Sequence, residues 1–212
     1  MRRLESSEAN DDADVLIVVL IKDFDTAKTR LAAALDPHQR RIGAITHARR
    51  AIEAALEVAP TLAICGSADA AALASDCGCD FVLEENPSGQ NLAASTGLYE
   101  ASRRGFLSAL ILSSDLPLIS ADAIREMLTL ATATSGPIVI AAAATGRLGT
   151  NALLVRPPEG FGLHFGDASL PRFAAEAKKG DRAFHVHHSQ ALALDIDEPA
   201  DLDLLAAHQR TE

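Results

Sequence analysis

Residues Val15-Leu-Ile-Val-Val-Leu-Ile21 form an unbroken apolar run, and nothing else in the chain restricts its fold as much. Successive side chains of a strand point to opposite faces, so a strand with no polar alternation must be covered on both sides. Parallel sheets flanked by helices provide that environment. The rest of the chain supplies the helices. The pattern predicts a long amphipathic helix from Pro37 to Ala59, a strand at Thr61–Cys65, a short helix over Ala68–Ser75 and a strand at Asp80–Leu83. A helix over Gly89–Arg104, a strand over Leu107–Ser113 and a helix over Ala121–Ala133 follow, the last opened by Ser120 with Asp122 in its first turn. Pro137–Ala144 and Asn151–Val155 read as strands, and Leu192–Asp197 as a further short one. Alternation of this kind predicts a doubly wound, mainly parallel α/β sheet, with sites outside the carboxyl ends of its strands.

Composition narrows the function. The chain has 212 residues, 48% of them hydrophobic but only 4% aromatic, so a sizeable core must be built from Ala, Leu, Val and Ile. A formal net charge of -10 argues against general binding to nucleic acid or anionic membrane, which requires a basic field. No apolar stretch is long enough to span a bilayer, and Met1 to Asp14 is polar rather than signal-like, so the expected location is cytoplasmic. Residues 1–13 read as a flexible acidic tail and 14–212 as a single domain. Cys65, Cys77 and Cys79 have neither the number nor the spacing of a zinc site and read as small buried thiols. His185, His187 and His188 lie on an expected strand, as a solvated edge or as a ligand pair.

Four stretches carry chemistry. Asp115 ends the apolar run from Leu107 and precedes Leu116-Pro117, while Asp195 and Asp197 flank Ile196 ahead of Glu198-Pro199. Taken singly, Asp115 is a good turn former and Asp197 a helix cap. Taken together, three carboxylates converging at the carboxyl ends of strands would repel and so invite a divalent metal. Lys22, Lys28 and Arg30 follow the first strand, where phosphates sit in α/β folds, although an exposed basic turn would look the same. No glycine run or Gly-Lys-Ser/Thr makes this a Walker loop. Finally, Gly149-Thr150-Asn151 and Phe165-Gly166-Asp-Ala-Ser169 offer close backbone approach and hydroxyls, or plainly a strand start and a first helical turn.

In order, Lys22-x5-Lys28-Thr29-Arg30-Leu31, Gln90-Asn91-Leu-Ala93, Asp115-Leu-Pro117, Gly149-Thr150-Asn151, Phe165-Gly166-x-x-Ser169 and Asp195-Ile-Asp197-Glu-Pro199 make a specific set. The chain resembles the 2-phospho-L-lactate and phosphoenolpyruvate guanylyltransferases of coenzyme F-420 biosynthesis, from Val15 to Leu205. The resemblance implies a Rossmann-like nucleotidyltransferase fold of the GT-A type, with GTP as co-substrate and Mg2+ as metal. It implies Asp115, Asp195 and Asp197 as metal ligands and Thr150, Gly166 and Ser169 as contacts to a phosphorylated acid. It further implies Lys22 as the family's strand-end lysine and Gly89 and Asn91 as nucleotide contacts, while Lys28 and Arg30, from their place in the cationic loop, join Lys22 as candidates to neutralise charge at the reacting phosphates. The expected partners are small molecules, and a homodimer is compatible with it. Gln90 and Ala168 depart from the family's usual Leu and Gly. Two other readings stay open here. One is a sister nucleotidyltransferase directed at molybdopterin or a sugar phosphate, and the other a non-catalytic nucleotide-binding relative.

Overall fold

The computed structural model describes residues 14–146 and 148–210. The acidic tail therefore lies outside the described residues. Strands β1 (Val15–Ile21), β2 (Thr61–Cys65), β3 (Asp80–Leu83), β4 (Ser108–Ser113), β5 (Ile138–Ala143), β6 (Thr150–Arg156) and β7 (Ala183–His187) form one sheet in the order β3-β2-β1-β4-β6-β5-β7. All run parallel except β6, which lies antiparallel between β4 and β5.

β1 is covered as its sequence demands. Val15, Ile17, Val19 and Ile21 enter the core under helices α1 (Pro37–Leu56), α2 (Ala68–Asp76) and α4 (Ala121–Thr132), while Leu16, Val18 and Leu20 enter the opposite core under α3 (Gln90–Arg103) and α5 (Ser169–Lys179). The scarcity of aromatics lets helices lie close to the sheet. A Cβ on Gly97 of α3 would sit 2.5 Å from Val18 Cγ1, so only glycine permits this approach. The helices start where short polar side chains can cap them: Asp36 and Gln39 form a capping box on α1, and Ser67 and Ser120 cap α2 and α4.

The expected strand over Leu192–Asp197 is not one. Gln190–Ala193 is a single helical turn (α6), and the chain then runs extended into α7 (Pro199–Gln209) without joining the sheet. Isolated bonds hold it instead of a ladder. Thr145 N–H donates to the Ala193 carbonyl at 2.8 Å, Asn151 Nδ2 donates to the carbonyls of Leu192 and Ala193, and Ile196 N–H donates to the Asp115 carbonyl at 3.3 Å. A five-residue 3-10 turn at Thr29–Ala33, not foreseen from the sequence, packs Leu31 against Leu194 and Ile196. The histidine strand is β7, an edge of the sheet. Cys65, Cys77 and Cys79 are free thiols, Cys65 and Cys79 buried, with burial pushing the Cys65 thiol up to about 12.

Candidate active site

The carboxyl ends of β1, β2, β3 and β4, together with the start of β6, open onto a cleft of about 690 Å³. Ten of the sequence-predicted residues line it: Lys22, Lys28, Arg30, Gly89, Asp115, Thr150, Gly166, Ser169, Asp195 and Asp197. Reversal of β6 is what joins the two halves, because it brings the beginning of that strand to the level where β1 and β4 end. Gly89 and Gln90 stand on the β1–β3 side, and Thr150, Gly166 and Ser169 on the β6 side.

The aspartates meet between the halves. One carboxylate oxygen from each of Asp115, Asp195 and Asp197 lies within 4.8 Å of the others, and all three residues are half-buried. At an effective dielectric of about 20, unit charges at that spacing repel by about 3.5 kcal/mol or more per pair. Scaffolding holds them despite this. Asp201 Oδ2 accepts from the N–H groups of Asp197 and Glu198 at 2.8 and 2.7 Å, and buried Asn151 donates to Asp195 Oδ1 at 3.4 Å. Asn151 stands in a sequence motif without a task of its own, and Asp201 lies just beyond the last of the motifs. Their positions, one on β6 and one in the first turn of α7, make them the supports of the acidic trio.

Lys28 lies closer to this trio than an exposed basic loop would put it. Its side chain is only 6% exposed, its Nζ donates to the Ile196 carbonyl at 2.7 Å, and Asp115 Oδ2 is 3.8 Å away. Its backbone is left-handed (φ 58), a conformation that costs a non-glycine residue about 1 kcal/mol and persists where the surroundings enforce it. Arg30, 65% exposed, reaches Asp197 and Glu198 only at 3.9 and 3.7 Å, a solvent-screened contact of little weight. Lys22 is exposed at the end of β1 and faces the cleft. Arg41 braces the loop between them through Asp25 and Asp69, with its guanidinium 6.0 Å from the Phe24 ring.

Behind Lys28, the His47 ring of α1 has its Nδ1 buried with no hydrogen-bond partner. Burial, and then the nearby charges of Lys28 and Arg50, push its pKa down from 6.5 to about 4. Between those values the unfolded chain binds a proton that the folded one refuses, so stability falls as pH drops from 6.5 towards 4. Allowing for partial exposure, the contribution is on the order of 1 kcal/mol. Thermal melts at pH 7 and pH 4.5 should show His47→Leu losing less stability on acidification than the parent. An equal loss would remove His47 from the acid limb.

On the β6 side, two hydroxyls stand without partners. Thr150 Oγ1 and Ser169 Oγ are buried and unpaired, in residues only 6% and 1% exposed, and both line the cleft. Ser169 opens α5, whose first turn contains no acidic residue and whose N-cap, Ala168, gives no side-chain bond. The N–H groups of Ser169 and Leu170 are engaged by the Gly166 and Leu148 carbonyls and residue 171 is a proline, so the two hydroxyls are the donors that this corner of the cleft offers to a compact anion. Gly166, with φ 116, and Ala168, with φ 52, shape its rim. The left-handed turn at Ala168 explains why glycine is the easier residue there.

Asn91 is the exception among the predicted residues. It does not line the cleft; its amide is engaged by the backbone of Phe165.

Residues 15–211 match the family described as Guanylyl transferase CofC like. The chain belongs to that family. A phosphoenolpyruvate guanylyltransferase of Sphaerobacter thermophilus is 35% identical over 196 residues, covering 91% of this chain and 93% of that one. A 3-phospho-D-glycerate guanylyltransferase of Colwellia psychrerythraea is 30% identical, covering 90% of each chain. Among solved structures, a nucleotidyl transferase from Methanothermobacter superposes with a TM-score of 0.62 at 14% identity, covering 93% of this chain and 99% of that one, a likeness of fold. The protein is a nucleotidyltransferase enzyme of the CofC-like family. No helix among the described residues is long and apolar enough to cross a membrane.

Proposed function

We propose that this enzyme transfers GMP from GTP to a small phosphorylated carboxylic acid with release of pyrophosphate, as a cytoplasmic step of coenzyme F-420 biosynthesis. The acceptor classes are phosphoenolpyruvate, 2-phospho-L-lactate and 3-phosphoglycerate. The observation that carries this reading is the pair of unpaired buried hydroxyls, Thr150 and Ser169, in the same cleft as the three aspartates. A buried hydroxyl without a partner is costly unless a ligand satisfies it, and a phosphate or carboxylate beside a helix N-terminus would do so.

The aspartates suit a hard divalent cation, since they offer only carboxylate oxygens, close together and backed by bonds that fix them. Asp115, Asp195 and Asp197 would hold Mg2+, whose charge would offset the repulsion between two anionic reactants. The remaining work falls to the chain itself. The acceptor's phosphate is already ionised near neutral pH, so no general base is needed. The protein must hold an acceptor oxygen in line with the α-phosphorus; that P–O bond forms as the bond to pyrophosphate breaks. Thr150, Gly166 and Ser169 place the acceptor, and Gly89 with the first turn of α3 lies beside the nucleotide. Lys22, open to the cleft, is placed to neutralise the leaving pyrophosphate, with Arg30 at the rim. Lys28 serves the same end from beneath, by reducing the negative charge of the trio.

The test is a panel of the three phospho-acids with GTP and Mg2+, read by product mass and pyrophosphate release. Phosphoenolpyruvate heads the panel, because the relative from Sphaerobacter carries that name. A guanylylated diphosphate with at least one of them is expected. Failure with all three would withdraw the assignment.

A further inference from the structure

α3 begins in the nucleotide wall of the cleft, with Gly89 and Gln90 on its lining, yet the next side chain turns to the other half. Asn91 donates from Nδ2 to the Phe165 carbonyl at 3.2 Å and accepts the Phe165 N–H at Oδ1 at 2.7 Å. Using donor and acceptor on both backbone groups of one residue fixes the orientation of the amide. Among the described residues, no other side chain hydrogen-bonds the backbone from Phe165 to Ser169.

That segment needs fixing. Gly166 and Ala168 both have positive φ, and no sheet ladder runs through them. The ends are anchored otherwise: the Phe165 ring packs edge-on against Phe173, with centroids 5.1 Å apart, and Leu170 N–H donates to the Leu148 carbonyl at 3.0 Å. A ring contact tolerates rotation of the peptide next to it, whereas a two-point amide clamp does not. Asn91 is the contact that defines the direction in which the chain enters Gly166.

We propose that Asn91 is the positioning residue of the acceptor half: reaching from the nucleotide wall, it sets the Phe165 backbone and so the geometry in which Gly166 and Ser169 meet the phospho-acid. This rests on the proposed reaction, and it differs from the nucleotide contact that the family resemblance implies for Asn91.

Asn91→Ala and Asn91→Asp test it, the latter keeping the acceptor for the Phe165 N–H while losing the donor for its carbonyl. Initial rates should show the KM for the phospho-acid raised on the order of tenfold in Asn91→Ala. The KM for GTP should stay within about twofold of the parent. Amide exchange over residues 163–169 should quicken in both variants without substrate, and Asn91→Asp should fall between Asn91→Ala and the parent in KM. A rise in the KM for GTP with the acceptor's unchanged would make Asn91 a nucleotide contact and overturn the proposal, as would unchanged values for both. An inactive parent enzyme with GTP and every phospho-acid would instead remove the reaction itself, so the two failures are distinguishable.

Discussion

Asp115→Asn is expected to lower turnover by on the order of a hundredfold to a thousandfold, the cost of losing one preorganised charge contact at a reacting centre. The fold should survive, because the change leaves size and hydrogen-bonding shape nearly intact. It also removes one member of a mutually repelling trio whose oxygens lie within 4.8 Å of each other. The partial loss is the Lys28 contact, already long at 3.8 Å. Two measurements separate catalysis from stability. The melting temperature without divalent cation should shift by no more than a few degrees, while the stabilisation conferred on the parent by added Mg2+ should shrink or vanish. Parental turnover in the variant at saturating Mg2+ would remove Asp115 from the site.

Gly166→Val addresses the other half of the cleft. Gly166 adopts φ 116, which a β-branched side chain cannot reach without strain, and a Cβ built there meets nothing within 4 Å. The new side chain would therefore point into open space at the rim of the acceptor site rather than into the protein. The KM for the phospho-acid should rise by on the order of a hundredfold, and that for GTP by no more than a few-fold. Gly166→Ala, with the same backbone penalty and less bulk, should lie between. Equal losses for both substrates in a folded variant would show that the cleft is divided differently.

The parts of this site that could be read from the sequence are those fixed locally. The apolar run of β1 reports its own burial on both faces, and Ser120 ahead of Ala121 announces the start of α4. Asp115 alone reads equally well as a turn former before Leu116-Pro117, and only beside Asp195 and Asp197 does it become a candidate ligand. What escaped reading depends on contacts distant in the chain. The segment before Asp197 looks like a strand by composition, but no neighbouring strand is free to pair with it, and Asn151 holds it instead. Lys28 resembles an exposed turn residue until the Ile196 carbonyl, 168 positions away, accepts its hydrogen bond. Asn91 sits in a motif beside residues that line the cleft, and only the fold reveals that it turns to Phe165. The direction of β6 is likewise invisible in its apolar pattern, since a strand buried on both faces reads alike either way.

The reversed course of β6 also bears on how such an enzyme diversifies. Because that strand starts where β4 ends, the surface proposed for the acceptor comes from one short stretch, Gly149 to Ser169, while the side proposed for the nucleotide comes from the chain before Asp115. On that division, substitutions confined to the later stretch would alter acceptor preference and leave the nucleotide side untouched. Recombination in the intervening α4–β5 region would exchange one acceptor surface for another in a single event.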